Sequence, residues 1–480
     1  MALELYLGYA IAALAATQLM KTNRSMNLVA LSHVLACIAL AAYSLNIGPA
    51  HYYEKNFLID ALSVYEIFIT GTIFLFAIIY AGGHAERLID LGLMDKKNLK
   101  PYYLSLNCLL MFTVLSFASN NLALFWIFVE LTTFFTAFLI AILNSKKNVD
   151  ASLKYIFVTS TAMLFSFTGL ILLFALSESA TGKGTLNWDE LLANAHSFPP
   201  VFLTAAFAFT FIGFAAKSGV APFHTPLPHA YSKAPSAVST IVSAVMLNLG
   251  MTGILRIYAI IKQTSAGPAA SNLLIAFGLL SLFIATLSML HQRNVKKLIA
   301  FSSTEHAGLM LIGIAIGTPI AIFWVLFHML AHALIKAVLF LSTGIIQRQY
   351  NTNNAGKIIN IFKMQPLPAT GLILGSAAIL GMPPFILFLS KFSILTQVAA
   401  YSVPLLFVML LFLLIAAAAF TNLLSEIFSH TEEVKMERYN APKRMTAPIV
   451  ILLVLIFVLG IYVPNDLYVF LTKVVSDLKF

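Results

Sequence analysis

Apolar runs of roughly 20 residues, each long enough to cross a bilayer as a helix, follow one another along almost the whole chain, separated by short polar connections. They predict about 14 spanning helices, near residues 4–20, 27–46, 58–81, 102–118, 121–143, 153–176, 200–218, 235–261, 271–290, 297–317, 319–346, 365–394, 400–428 and 446–464. The polar pattern breaks two of these regions. In the first, Lys217 is followed by Pro222, Pro226 and Pro228; in the second, Pro383 and Pro384 are followed by Lys391. Proline removes a backbone donor and frees a carbonyl that lipid cannot satisfy, so each interruption predicts a broken helix lined by protein or water. Lysine and proline stand in opposite chain order in the two halves. That order suits an inverted-topology repeat with half-helix ends near the membrane midplane; a chance pairing of two proline-kinked helices is the rival reading.

Composition narrows the class. Hydrophobic residues make up 60% and charged residues 10% of the chain, with a mean hydropathy of +0.90, whereas soluble domains carry about a quarter charged residues. The expectation is an all-α integral membrane protein forming one polytopic domain, residues 1–480, with no cleavable signal peptide. The net charge of +10 is concentrated in alternate loops: the odd-numbered loops carry 20 Lys and Arg, the even loops and the C-terminal tail 5. By the positive-inside rule the odd loops are cytoplasmic and both termini face outward, so this charge reports topology and not nucleic-acid binding. Cys37 and Cys108 lie in different apolar runs without metal or redox spacing and read as small core residues. No loop is long enough for a soluble catalytic domain, and the chain has no GxGxxG, P-loop or CxxC. It is therefore expected to hold no catalytic residues, metal or cofactor of its own, leaving any redox chemistry to partner subunits.

An ionisable residue near the bilayer centre costs roughly 2.5–3.5 kcal/mol on insertion scales and marks a partner or a water path. Four cations fall within spans: Lys217, Arg256, Lys336 and Lys391. Arg256 lies near the outer end of its helix and reads as snorkelling or structurally paired, and Asp60, at the outer start of another, as a cap or a residue reaching interface water. Glu130 is alone: no other Asp, Glu, Lys, Arg or His lies between Lys100 and Lys146. Coupling to Lys217 would offset both burials and let movement of the carboxylate govern whether the lysine holds a proton; the alternative is a protonated Glu130 bonded to backbone. His328, His332 and Lys336, spaced i, i+4 and i+8, form one polar stripe. A proton relay is preferred there over plain structural histidines, or over a metal site, for which no acidic residue on that helix supplies a third ligand. Glu305, followed by His306, reads either as a solvated cap or as the counter-charge of Lys336 on the next helix.

These motifs resemble a known family. The run GFAAKSGVAPFHTPLPHAYSKAPSAVS, residues 213–239, looks like the signature of the antiporter-like subunits shared by respiratory complex I, multisubunit sodium/proton antiporters and energy-converting hydrogenases: a lysine, then PFHxWLPxAH, then APxxVS. Pro226 departs from it by standing in TPLP where tryptophan is usual. The resemblance implies a fourteen-helix core with two inverted five-helix repeats, about 102–261 and 271–428, each with a broken helix, and outward termini. It implies Glu130 as the acidic partner, Lys217 as the broken-helix lysine, His328 as the central histidine of the second half and Lys391 as the terminal lysine. Two departures point within the family. Asn248 stands where many members have a lysine, leaving a bound water, or His224 and His229, to bridge the middle. Glu305, in FSSTEHAG, replaces a serine. Both look like component F of hydrogenase-4 and its group 4 hydrogenase and formate hydrogenlyase relatives. The implied function is a proton-translocating, non-catalytic membrane subunit of a redox-driven complex in the prokaryotic plasma membrane. Its implied partners are other membrane subunits and, through them, a peripheral redox arm, with protons or Na+ as the ion moved. The rival is a subunit of a multisubunit sodium/proton antiporter or of a complex I-like NADH dehydrogenase.

Overall fold

The computed structural model of the chain describes residues 2–429 and 436–480. Among them, 13 helices are long and apolar enough to cross a membrane. A fourteenth crossing is split into two shorter apolar helices, Pro366–Leu380 and Ile386–Tyr401, where hydropathy alone gives one run. Helices dominate because lipid offers no partner to a free peptide group. A hairpin, Ala50–Tyr52 paired antiparallel with Phe57–Ile59, sits in a connection between spans. Several helices outrun their apolar cores, notably Ala61–Asp90, Lys146–Thr181 and Pro319–Tyr350. Lys154, counted above with the loops, is thereby helical, and it pairs at 2.8 Å with Asp150 one turn away.

The central helices form two consecutive sets of five. The first is Leu99–Ala118, Leu122–Ala141, Lys146–Thr181, the broken Pro200–Ser218 with Leu227–Lys233, and Ser236–Lys262. The second is Gly267–Leu290, Val295–Ile316, Pro319–Tyr350, the broken Pro366–Leu380 with Ile386–Tyr401, and Val403–Ser429. In both sets the fourth helix breaks at a left-handed glycine, Gly219 (φ 76°) and Gly381 (φ 81°), a conformation only glycine adopts without penalty. Lys217 precedes its break and Lys391 follows its own.

Burial singles out the middle of the bundle. The apolar window of Ser236–Lys262 is 100% buried and that of Pro319–Tyr350 is 94% buried, against 28% for Val403–Ser429. Close approach helps: a Cβ on Gly250 would stand 2.6 Å from the Phe214 carbonyl, so this glycine lets the Asn248 helix lie against the Lys217 helix. Within the same span Val242–Met246 forms a π-turn, a distortion frequent at functional sites. It brings Ser243 within 3.1 Å of Ser303, on the helix that carries Glu305.

Candidate functional site

In the first set the ammonium of Lys217, 2% exposed, meets only neutral acceptors. It donates to Thr132 Oγ1 at 2.7 Å, Thr133 Oγ1 at 2.9 Å and the Val129 carbonyl at 3.2 Å. Three acceptors match its three N–H groups. The two hydroxyls turn their own protons to the Val129 carbonyl, which leaves their lone pairs to the lysine. All of these residues flank Glu130 in the chain. Glu130 itself turns toward the neighbouring helix, where Oε1 accepts from the Ser160 hydroxyl and Oε2 is buried without a partner. Glu130 and Lys217 bond to different partners. The expected pair is thus near neighbours with the carboxylate held aside, and the threonines that solvate the lysine are visible in the sequence only as the hydroxyls after Glu130.

The second set is closed. Lys391 Nζ donates to Glu305 Oε1 at 3.2 Å and to the Leu380 carbonyl, at the break, at 3.4 Å. Glu305 Oε2 lies 3.6 Å from His306 Nε2. His306 Nδ1 meets His328 Nε2 at 3.0 Å, and His328 Nδ1 meets the Ser390 hydroxyl at 3.0 Å. Ser390 precedes Lys391, so the five residues form a ring. The ring of His332 packs 5.3 Å from that of His306, centroid to centroid, with both nitrogens unpartnered. Lys336 follows, donating to the Ile299 carbonyl and, at 2.6 Å, to Ser302 Oγ.

Here two expectations change. Glu305 is 1% exposed and is no solvated cap, and its contact is Lys391, not Lys336. The antiparallel register of the two helices explains this. Lys336 lies level with Ile299 and Ser302, which are about 9 Å and 4.5 Å along the helix from Glu305 at 1.5 Å per residue. The stripe itself holds, and His306 joins it from the facing helix.

Between the sets, Asn248 Nδ2 donates to Glu66 Oε2 at 3.1 Å. Glu66, in Ala61–Asp90, is fully buried and is the residue sequence reasoning missed; its signal is a lone carboxyl in an apolar run, the same one that marks Glu130. The histidines expected to bridge the middle do not. His229 is exposed on the short helix beyond the break, in the field of Lys154, Lys233 and Lys297. His224 is buried beside Phe301, ring centroids 6.2 Å apart, with Nδ1 unpartnered. Asn248 instead faces the Ala61–Asp90 helix. Lys296 and Arg348, counted above as loop cations, are buried as well. Arg256 forms a structural lock: both its terminal nitrogens bond Asp60 at 3.0 Å, and its guanidinium stacks 4.6 Å over the Trp188 ring. Asp60 also caps its helix through the Ser63 amide. Among the described residues no group of His, Cys, Asp and Glu is arranged to hold a metal ion.

Residues 119–416 match the family described as NADH:quinone oxidoreductase/Mrp antiporter, TM. The chain is 28% identical over 417 residues to the hydrogenase-4 component F homolog of Methylacidiphilum infernorum (isolate V4), covering 85% of this chain and 86% of that protein. Two solved structures share its fold. One is a chain of the membrane-bound sulfane sulfur reductase, an archaeal respiratory membrane complex, with a TM-score of 0.87 at 23% identity over 99% of this chain and 96% of that one. The other is a chain of the Mrp complex from Dietzia sp. DQ12-45-1b, with a TM-score of 0.85 at 20% identity over 99% and 97%.

Proposed function

This chain belongs to the NADH:quinone oxidoreductase/Mrp antiporter transmembrane family, and on that premise we propose that it is a proton-translocating, antiporter-like membrane subunit of a redox-driven complex of the hydrogenase-4 type. One observation carries the reading. Each five-helix set offers a glutamate on its second helix and a lysine at the break of its fourth, and in the second set a histidine relay adjoins the pair. A lysine in contact with a carboxylate holds its proton, and one whose carboxylate is withdrawn releases it. Two such sites in different states, joined by polar side chains, suit a device that loads a proton in one half and passes it on from the other.

Within this reading the repeats span about 102–261 and 271–428, and the basic loops face the cytoplasm with both termini outward in a prokaryotic plasma membrane. Protons enter from the cytoplasm. They pass Glu130, Lys217 and the Asn248 layer, then Lys336, His332, His306 and His328, and leave by Lys391. Electrons stay in partner subunits: other membrane subunits of the complex and, through them, a peripheral redox arm whose turnover moves the carboxylates. The relative named as a hydrogenase-4 component supports this choice. The fold shared with an Mrp complex supports a second reading, a sodium/proton antiporter subunit with no redox partner.

The test is to purify the complex with its natural partners and reconstitute it in vesicles. Proton uptake driven by an electron donor, lost in Lys217→Met while electron transfer continues, is the expected result. Exchange of protons for Na+ driven by an ion gradient alone, with no redox protein co-purifying, would establish the second reading instead.

A further inference from the structure

We propose that Glu66 is itself a proton-carrying residue, forming with Asn248 the link between the Lys217 half and the histidine half. The proposal rests on the reading above and adds a residue from outside both five-helix sets. Glu66 lies in Ala61–Asp90, and none of its surface is exposed. Among the described residues no cation contacts it; Oε2 accepts from the Asn248 amide at 3.1 Å and Oε1 has no partner. A carboxyl so placed, deep in a membrane helix and without a counter-charge, is costly unless it serves a path or takes up a proton.

The surroundings are equally specific. Thr70 lies one turn after Glu66 and Thr252 one turn after Asn248, so two polar pairs line facing helix surfaces. The hydroxyls of Thr70 and Thr252 and the amide oxygen of Asn248 are all buried and unpartnered. The two helices run antiparallel, Arg256 meeting Asp60 and Asn248 meeting Glu66, so Thr70 and Thr252 lie about 6 Å to either side of the Glu66–Asn248 contact. The unspent polar atoms form a row along the seam that suits ordered water, which needs two to four polar partners. Beside the Glu66–Asn248 contact, hydrogen bonds tie this seam to the helices of both halves. Ser218, next to Lys217, donates to the carbonyl of Leu247, next to Asn248, at 3.4 Å. Tyr65, next to Glu66, donates to the carbonyl of Leu326, on the His328 helix, at 2.8 Å.

The step balances with protons alone. The Lys217 ammonium gives up one proton and becomes an amine, while the Glu66 carboxylate takes it, through water, and becomes a carboxylic acid. The acid then passes that O–H proton to an unprotonated nitrogen of the histidine group and returns to carboxylate. The Asn248 amide donates to the carboxyl oxygen in both states, so it positions Glu66 without itself exchanging a proton.

The test uses the assembled complex in vesicles and compares wild type, Glu66→Gln, Glu66→Asp and Lys217→Met. Glutamine keeps the shape and the bond to Asn248 but cannot exchange a proton. Glu66→Gln is expected to retain electron transfer while the rate of proton uptake falls roughly a hundredfold, the lower scale for removing a positioned proton-transfer group, and Glu66→Asp is expected to recover part of it. Uptake in Glu66→Gln equal to wild type, while Lys217→Met has lost it, overturns the role of Glu66 and leaves the function standing. An aspartate variant no better than glutamine overturns it too. No proton movement even in wild type defeats the function and this proposal together. Infrared difference spectra during turnover read the same group in a complex that keeps Glu66: a protonated-carboxyl band that shifts in Asn248→Leu is expected, and a turnover spectrum that Asn248→Leu leaves unchanged overturns the link.

Discussion

Lys217 and Lys391 stand at the breaks of matching fourth helices, and each faces the second helix of its own set, yet only Lys391 touches a carboxylate. At Lys217 the three donors are taken by two threonine hydroxyls and a carbonyl, and Glu130 is drawn off by Ser160. At Lys391 the glutamate is in place and a histidine chain is attached to it. The same parts are therefore held open in one half and closed in the other. The difference teaches that a buried lysine can be accommodated in two ways: by neutral dipoles, which leave its proton mobile, or by a charge, which holds it. A shuttle between halves needs both states at once.

The largest expected effect separates the two lysines by stability. Lys391→Met strands Glu305, and breaking a buried pair from one side costs about 3–5 kcal/mol. Lys217→Met strands only neutral acceptors and should cost about 1–3 kcal/mol. Thermal unfolding of the two assembled variants measures this, and equal losses would break the comparison. Next comes the identity of Glu305's partner. Glu305→Ser should impair proton uptake in vesicles by about tenfold or more, the scale of exposing one unpaired buried charge. Adding Lys391→Met should restore stability, whereas adding Lys336→Ala should not; rescue by Lys336→Ala would mean that the pair inferred from sequence is the functional one after all.

Glu130→Gln should be milder on stability, within about 1 kcal/mol of wild type, because no ion contact is lost. Its effect should appear in transport, as a slowed uptake with electron transfer intact. The smallest effect belongs to Ser160→Ala, which frees Glu130 to approach Lys217. One hydrogen bond is worth about 0.5–1.5 kcal/mol, so uptake rates should shift by roughly two- to tenfold with assembly unchanged. An uptake rate identical to wild type would show that Ser160 does not hold the carboxylate aside.

Much of this fold is legible in the chain, since apolar length marks a crossing and proline with lysine marks a break. The fourteen crossings and the opposite order of lysine and proline follow from those signals alone. What the chain does not carry is register between helices. Lys336 and Lys391 are both distant from Glu305 in the chain, and only packing decides that Lys391 and not Lys336 meets it. Glu130 and Lys217 read as a contact because each is alone in its span, while the threonines that intervene look like ordinary helix surface. Glu66 carries as clear a signal as Glu130, but its meaning depends on Asn248, 182 positions away. Lys296 and Arg348 look like loop cations because hydropathy cannot tell how deep a helix end is packed.

The asymmetry of the two sites is tested most directly by a pair of double-mutant cycles in one assembled complex, Glu130→Gln with Lys217→Met and Glu305→Gln with Lys391→Met, read by thermal stability. The structure predicts a coupling of about 1–3 kcal/mol for Glu305 and Lys391 and one below about 0.5 kcal/mol for Glu130 and Lys217. Equal couplings in the two cycles, or a larger one in the first, would contradict an open site in one half and a closed site in the other.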